Sequence, residues 1–431
     1  MIKAHDIRIV FLIKALVGLV FIAKICFGSF LPIPYSFSFL IFQQGLHPVL
    51  NVFLAFLFGG PLFLLWMKVR ERHHLSGFYK LFVFLLMMTL TVQTLLQMHF
   101  VNSEESVFMQ LAALVSSLFM IGIYGLVIPS LWNVEDFVRY VQRWSGALVV
   151  LSLLLWPIAG GAFFKGGRFI GVFKHIPYMV TCGTVAFIFS LGVLLFATKK
   201  QEKVGALFVM LASFFAIILT GTRSSAAALL IALVLTMILH KTRSNQARLF
   251  KVAMIGVFVS FTLFFGSETL ELARGLATGT ASLGNRQAQD GVASRWEEVE
   301  RGSQIFQEQP WLGHGLVSKF ASGSEVDVSN YNAMKDPHNI FVSAGVIGGW
   351  PLLVLAAVAL LLMTIGALKA LRSADISKRQ LGIYLAAHIP ILVIYHVHLS
   401  LGGMADRIYW LVFGFLAASI NFSTRKPVKN T

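Results

Sequence analysis

The stretch Lys-Asp-Pro-His-Asn at positions 335–339 closes the polar segment 267–338, which separates two apolar runs. Pro337 disfavours helix at the residue before it and suits a first helical turn. His338 and Asn339 are therefore predicted to open the apolar helix that follows. A neutral imidazole there can accept a proton from an incoming hydroxyl near neutral pH, and the helix N-terminus opposes its charging. His338 is thus a candidate general base, with an ordinary surface histidine as the alternative.

The composition places the chain among membrane proteins. Of its 431 residues, 57% are hydrophobic and only 13% are charged. Runs of about 20 apolar residues, the length that a helix needs to cross a bilayer, recur along the chain. These observations predict an all-α, polytopic integral membrane protein and exclude a soluble core. Both cysteines, Cys26 and Cys182, fall inside apolar runs, so we expect neither a disulfide framework nor a cysteine metal site.

The apolar runs predict about twelve transmembrane helices around one large polar loop. They lie at roughly 9–30, 48–67, 80–98, 107–130, 145–163, 178–198, 204–221, 224–240, 249–266, 339–368, 380–400 and 406–421. Three regions follow: 1–266 with nine helices and short loops, the large outer loop at 267–338, and 339–431 with three helices and a tail. An even number of spans places both termini on the same side.

The basic residues indicate which side that is. The termini and the loops on their side hold 22 Lys and Arg against 6 acids, and so carry the whole net charge of +16. The other side holds 11 basic residues against 13 acids, leaving aside Lys14 and Lys24, which lie within the first span. By the positive-inside rule, both termini are predicted to be cytoplasmic and the large loop to lie on the opposite face. Topology then explains the excess charge, so nucleic-acid binding is not expected.

Basic residues on the outer side are not explained by topology and are therefore candidates for ligand binding. Lys165 and Arg168, with two glycines between them, and Lys174 lie between the fifth and sixth spans. Glycine lets the backbone approach a ligand closely, and a solvated loop is the alternative. The turn at 221–222 is so short that Arg223 is predicted at the membrane surface, at the start of the next helix.

The large loop is predicted to contain one helix. Ser294 and Glu297 have the spacing of a capping box, and apolar side chains follow at helical intervals. The helix is predicted to begin at Arg295, with Ser294 as its N-cap, and to end near position 308, before Pro310 and the turn-rich 313–315. Arg295 is a further outer arginine.

Cofactor and metal motifs are missing from the sequence. It has no phosphate loop, dinucleotide fingerprint or zinc-protease helix. The outer face also has no clustered set of acidic or Cys/His ligands. We therefore expect neither a cofactor nor a metal ion.

The outer residues, taken in order, resemble a known family. They are Arg168 with Gly171, Gly221-Thr222-Arg223-Ser224, Ser294-Arg295, Pro310-Trp311-Leu312-Gly313-His314-Gly315, and Pro337-His338-Asn339 with Gly345 and Gly348-Gly349. This order resembles the O-antigen ligase and polymerase superfamily of membrane glycosyltransferases, and the helix count agrees. The His-Asn pair after a large outer loop is its most telling part.

The resemblance implies a reaction and a role for each residue. Members transfer glycan from an undecaprenyl pyrophosphate carrier outside the inner membrane; in the ligase, a hydroxyl of the lipid A-core acceptor attacks the sugar C1 of the donor. His338 would be the general base, and the reaction would invert the anomeric centre without a divalent metal. The arginines that would bind the pyrophosphate are Arg168, Arg223 and Arg295. Further candidates for substrate binding are Lys165, Lys174, His314 and Asn339.

Several functions remain open within and beyond the superfamily. O-antigen polymerases typically have two large outer loops, with an Arg followed eleven positions later by Gly, and none of the outer arginines here has Gly at that offset. A protein O-oligosaccharyltransferase is a third member type. A transporter of a polyanionic lipid would explain the arginines too, but coupling would need intramembrane carboxylates, of which the spans contain almost none. The sequence favours the ligase. Membrane lipids are expected to surround the protein and to contact it.

Overall fold

The computed structural model describes residues 75–100, 107–131, 134–165, 167–173, 176–240, 290–315, 339–373 and 375–394, with isolated positions between 11 and 67 and at 252 and 256. Its continuous segments contain helices α1 Gly77–Phe100, α2 Val107–Gly122, α3 Ile128–Leu131, α4 Val134–Ala159, α5 Ile176–Phe196, α6 Lys200–Leu219, α7 Arg223–Leu239, α8 Asp290–Glu308, α9 Ile340–Leu371 and α10 Ile376–Ile394. A π-helical turn, Ile123–Val127, joins α2 to α3, and a 3-10 turn, Gly160–Phe163, follows α4. Strands β1 Phe164–Lys165 and β2 Arg168–Phe169 form an antiparallel hairpin.

The all-α class predicted from the composition is confirmed. Within the described residues, 5 helical segments are long and apolar enough to cross a membrane, and the apolar helix Ser225–Leu239 is shorter. The five are Gly77–Phe100, Phe137–Phe163, Met179–Phe196, Lys200–Leu219 and Phe341–Leu371. The predicted runs at 9–30, 48–67, 249–266 and 406–421 lie wholly or mostly outside the described residues, so the total of twelve stays a prediction.

Helix α5 lies at the centre of the described bundle. It packs against α4, α6, α7 and α10, and every residue from Met179 to Gly192 is buried. A helix that is apolar on all sides is typical of one surrounded by other helices. Gly192 lets α5 and α10 approach each other closely, because a Cβ added there would overlap the Tyr384 ring of α10. This packing fixes the ends of the neighbouring helices at both faces of the bundle.

Helix α9 is broken within its first third, whereas the sequence predicted one uninterrupted span. Gly348 (φ −133°, ψ 19°) and Gly349 (φ 65°, ψ −162°) have non-helical backbone angles. The positive φ of Gly349 belongs to a region that side chains disfavour. Pro351 follows and lacks the N–H that would continue the helical hydrogen bonds. Local backbone chemistry therefore interrupts a run that hydropathy treats as uniform.

The segment between α4 and α5 folds as a hairpin, where the sequence predicted only a glycine-rich loop. The strands pair Lys165 with Arg168, and Gly167 between them has a φ of 70°, as tight hairpin turns require. Phe169 is fully buried, with its ring centroid 5.9 Å from that of Trp156 in α4. Buried aromatic pairs contribute about 0.5–1.5 kcal/mol beyond their area. The packing fixes the hairpin on α4 and thereby fixes the backbone of Arg168.

Candidate functional site

Arg168 contacts the turn that joins α6 to α7, at residues 220–223, which we call the arginine turn. Its Nε donates a hydrogen bond to the Thr220 carbonyl oxygen at 2.7 Å, and its Nη2 donates to the Thr222 hydroxyl at 2.7 Å. Hydrogen bonds that involve a charged group contribute about 1.5–3 kcal/mol each. The guanidinium therefore connects the hairpin to the arginine turn.

The arginine turn also sets the first residue of α7. Gly221 has a φ of 67°, and the hydroxyl groups of Thr220 and Thr222 lie 3.0 Å apart. The Ser225 hydroxyl donates to the Thr222 carbonyl at 2.8 Å. Helix α7 begins at Arg223, which confirms the predicted position at a helix start. The side chain of Arg223 lies outside the described residues.

Helix α8 of the large loop begins earlier than predicted. It runs Asp290–Glu308, so the predicted end is confirmed, whereas the predicted start at Arg295 and the N-cap at Ser294 are wrong. Asp290 lies in the first turn, where the helix N-terminus stabilises a negative charge, and serine inside a helix costs only a few tenths of a kcal/mol. Arg295 therefore lies in the second turn, and its side chain is outside the described residues.

Helix α8 packs against the first part of α9. The rings of Phe306 and Trp350 meet edge to face, with centroids 5.1 Å apart. A Cβ added at Gly345 would lie 2.9 Å from the Phe306 ring, so glycine leaves the room that this contact needs. The loop helix is thus held beside the break in α9.

The break in α9 removes the helical partners of three backbone groups. In a continuous helix the Trp350 N–H would donate to the Val346 carbonyl, and residue 351 would donate to the Ile347 carbonyl. The glycine angles separate the first pair, and Pro351 has no N–H for the second. A backbone polar group left unsatisfied in a membrane costs several kcal/mol. All three groups therefore need partners from elsewhere in the chain.

Residues 310–315, which we call the bracing turn, supply these partners. His314 donates its backbone N–H to the Val346 carbonyl at 2.6 Å, and Gly315 donates to the Ile347 carbonyl at 3.0 Å. The Pro310 carbonyl accepts the Trp350 N–H at 2.8 Å. The bracing turn therefore completes the hydrogen bonding of a membrane helix.

Two glutamines of α1 donate further hydrogen bonds to carbonyl groups of the bracing turn and of α9. Gln97 donates through Nε2 to the Ile347 carbonyl at 2.7 Å and also to the Leu312 carbonyl. Gln93, one turn earlier, donates to the Trp311 carbonyl at 3.2 Å. Sequence reasoning missed both residues. Two amides four positions apart share a helix face, and within an apolar run they indicate an intramembrane polar contact.

His314 links α8 to α9 through this turn. Its Nε2 lies 2.9 Å from the Ile305 carbonyl oxygen of α8. A carbonyl oxygen only accepts, so the hydrogen bond requires the proton on Nε2. Together with its N–H bond to α9, this contact gives His314 a structural role. The predicted role in substrate binding stays a prediction.

Asn339 caps α9. Its Oδ1 accepts the N–H groups of Phe341 and Val342 at 3.0 and 3.2 Å, and the helix begins at Ile340. The predicted helix opening directly after the His-Asn pair is therefore confirmed. His338 lies outside the described residues, so its role as general base stays a prediction, as does substrate binding by Asn339.

The arginine turn and the start of α9 lie toward the same end of the bundle. Leu239 and Leu371, the last residues of α7 and α9, line one cavity, so the first residues of both helices point to the opposite end.

Lys174 lies outside the described residues, as does the side chain of Lys165. In the described part of the chain, no three His, Cys, Asp or Glu residues are grouped as metal ligands. The expected metal independence stays a prediction.

The apolar spans, the broken helix and the loop docked against it define a polytopic α-helical membrane protein with a candidate site at one end of its bundle. Residues 206–357 match the family model described as O-antigen ligase. This match supports the resemblance to the O-antigen ligase and polymerase superfamily that the sequence indicated. No curated protein matches the chain.

Proposed function

We propose that the protein is an O-antigen ligase, a glycosyltransferase that moves O-antigen polysaccharide from undecaprenyl pyrophosphate to a lipid A-core acceptor in lipopolysaccharide biosynthesis. The family match carries this proposal, because residues 206–357 include Arg223, Arg295 and His338. The start of α9 immediately after the His-Asn pair supports a base held at the mouth of a membrane helix.

The proposed reaction is a single displacement at C1 of the donor sugar. His338 takes the proton of the acceptor hydroxyl as its oxygen bonds to C1. The bond between C1 and the pyrophosphate oxygen breaks, and the electron pair leaves with the undecaprenyl pyrophosphate. Attack from the face opposite the leaving group inverts the anomeric centre.

The proposed role of the arginines is to bind the pyrophosphate and to stabilise the charge that develops on it. Arg223 starts α7 directly after a turn of defined hydrogen bonding, at the level where a lipid-linked pyrophosphate must lie. Arg168, which donates two hydrogen bonds to that turn, positions Arg223 in addition to its predicted contact with the donor. Arg295 acts from the loop helix α8. Guanidinium groups would take the place of the divalent metal that many glycosyltransferases use.

The reaction is proposed to occur on the periplasmic face of the bacterial inner membrane, with both termini in the cytoplasm. Residues 1–266 and 339–431 form the membrane bundle, and 267–338 form the large periplasmic loop. The shared end of α7 and α9 supports a single reaction face. Lys165, opposite Arg168 in the hairpin, and Lys174 are proposed to contact the substrates, together with His314 and Asn339.

A transfer assay with three acceptors tests the proposal. Purified protein in lipid nanodiscs would receive radiolabelled undecaprenyl pyrophosphate O-antigen together with lipid A-core, with a second glycan-carrying carrier lipid, or with an acceptor protein. We expect label to pass only to lipid A-core. Label on the carrier lipid would indicate a polymerase, and label on protein would indicate an oligosaccharyltransferase. In a parallel assay with the protein in sealed liposomes, flux of donor across the membrane without transfer would indicate a transporter.

A further inference from the structure

A cavity of about 480 Å³ lies at the end of the bundle opposite the arginine turn. It is formed where α5, α7 and α9 end and where α10 begins. The cavity is separated from Arg223 by the length of α7, which is about 25 Å for its 17 residues. It is therefore distinct from the proposed transfer site. Its volume falls in the range of roughly 300–1,000 Å³ that is typical of small-molecule sites.

One part of the cavity wall is apolar. Phe196, Leu239 and Leu371 contribute the last side chains of α5, α7 and α9, and Ile383 contributes from α10. The wall is fixed by close packing, because a Cβ added at Gly382 of α10 would lie 2.6 Å from the Leu371 nitrogen. Such a surface at a membrane boundary suits the glycerol and the upper acyl chain of a lipid.

The other part of the wall is basic and polar. Arg372 and Arg379 line it together with His240 and Ser373, and none of the described lining residues is acidic. Both arginines are exposed, so their side chains can reorient toward a ligand. The Ser373 hydroxyl accepts the Asp375 N–H at 3.2 Å, which leaves its own proton for donation. Arginine guanidinium groups and hydroxyl donors are groups that recognise phosphate oxygens.

We infer that this cavity binds the phosphate headgroup of an anionic membrane phospholipid. The juxtaposition of four apolar side chains with two arginines, at the ends of membrane helices, matches a molecule with an anionic head and apolar tails. A free phosphate would use the arginines and leave the apolar wall exposed. Basic pockets between helices on the cytoplasmic side are a known form of lipid recognition, and the positive-inside rule assigns this end to the cytoplasm. The inference does not depend on the proposed transfer reaction.

Native mass spectrometry of the full-length protein, titrated with short-chain phosphatidylglycerol, tests the inference. Phosphatidylcholine of the same chain length and inorganic phosphate are the other two ligands. We expect phosphatidylglycerol to bind in preference to both. The double variant Arg372→Gln with Arg379→Gln should bind it about thirtyfold more weakly, since each arginine contributes about 1 kcal/mol at a charged membrane surface. Folding of each variant is checked by circular dichroism and gel filtration.

A matched control removes the same charge elsewhere. Arg143 and Lys200 are exposed residues that do not line the cavity, so Arg143→Gln with Lys200→Gln should bind phosphatidylglycerol as the wild type does. An equal loss of phosphatidylglycerol binding in this control would show that the effect comes from net charge alone, and would overturn the inference. Equal binding of phosphatidylcholine, or displacement of the lipid by inorganic phosphate at the same concentration, would overturn it as well. If the double variant does not fold, the single variant Arg379→Gln must show weakened binding, and unchanged binding there overturns the inference.

Discussion

The arginine turn and the bracing turn are both held by contacts between distant parts of the chain, but through different chemistry. At the arginine turn, the charged side chain of Arg168 donates to Thr220 and Thr222. At the bracing turn, main-chain groups pair with main-chain groups across the break in α9. The first contact depends on the identity of one side chain. The second depends on glycine, which has no side chain, at the break in α9. The two regions should therefore respond differently to substitution.

The largest effect is expected at the start of α9, where the base is proposed. His338→Ala should lower transfer about a hundredfold to ten-thousandfold, because it removes one general base. The protein should still insert and bind donor, because the Asn339 cap remains. Single-turnover transfer and donor binding in nanodiscs are the measurements, with His99→Ala, an exposed histidine of α1, as the control. Retention of about half the activity by His338→Ala would show that the base is another residue.

The two arginines of the proposed site should differ in what they contribute. Arg223→Ala should weaken donor binding and lower turnover, because the arginine turn holds its backbone in place. Arg295→Ala should mainly lower turnover, by up to about a hundredfold, because a loop helix can close over the donor after binding. Donor affinity and turnover would be measured for both variants. Lysine at either position should restore activity only in part, and unchanged donor affinity in Arg223→Ala would refute its role.

The break in α9 can be tested by adding one methyl group. Gly349→Ala should destabilise the protein by about 1–3 kcal/mol, because a positive φ disfavours alanine and the Cβ would overlap the Trp311 carbonyl. Thermal unfolding in nanodiscs is the measurement. Gly205→Ala in α6 is the control, because its Cβ would meet nothing within 4 Å. Equal melting temperatures for the two variants would mean that the bracing turn does not stabilise α9.

A smaller effect is expected when lysine replaces Arg168, because the positive charge is kept and the planar guanidinium group is lost. Arg168→Lys should lower turnover about tenfold, because a single ammonium cannot hold both threonine contacts and one charged hydrogen bond contributes about 1.5–3 kcal/mol. Thr222→Val, which removes one of the two acceptors, should produce a similar loss. Turnover would be compared with that of Arg143→Lys on α4. Wild-type turnover in both Arg168→Lys and Thr222→Val would exclude a positioning role.

The smallest effect is expected from removing divalent cations. Transfer should proceed unchanged in excess EDTA, because arginines are proposed to carry the charge of the pyrophosphate. The measurement is the initial rate before and after chelation. A loss of rate that added Mg²⁺ or Mn²⁺ restores would contradict the arginine mechanism.

The elements that the sequence predicted well depend on neighbouring residues. The start of α7 at Arg223 followed from a short turn, and the start of α9 followed from a proline rule that acts over one or two positions. The class of fold followed from the length of apolar runs. The early start of α8 was missed because the pattern of Ser294 and Glu297 is also compatible with a helix interior.

The contacts that the sequence did not predict join residues far apart along the chain. Gln97 lies 250 residues before its partner Ile347, and Arg168 lies 52 residues before Thr220. No local pattern specifies such partners. Gln93 and Gln97 stand out as amides within an apolar helix, but their partners are backbone carbonyls that any residue could provide.

The bracing turn also constrains the order in which the protein can be assembled. Synthesis proceeds from the N-terminus, so α1 with its two glutamines and the turn at 310–315 exist before α9 emerges. The broken helix therefore enters the membrane when the groups that complete it are already made. A circular permutation that placed the new N-terminus between positions 315 and 339 would reverse this order. Helix α9 would then enter the bilayer with unpaired backbone carbonyl groups, because the loop that pairs with them would not yet have been synthesised.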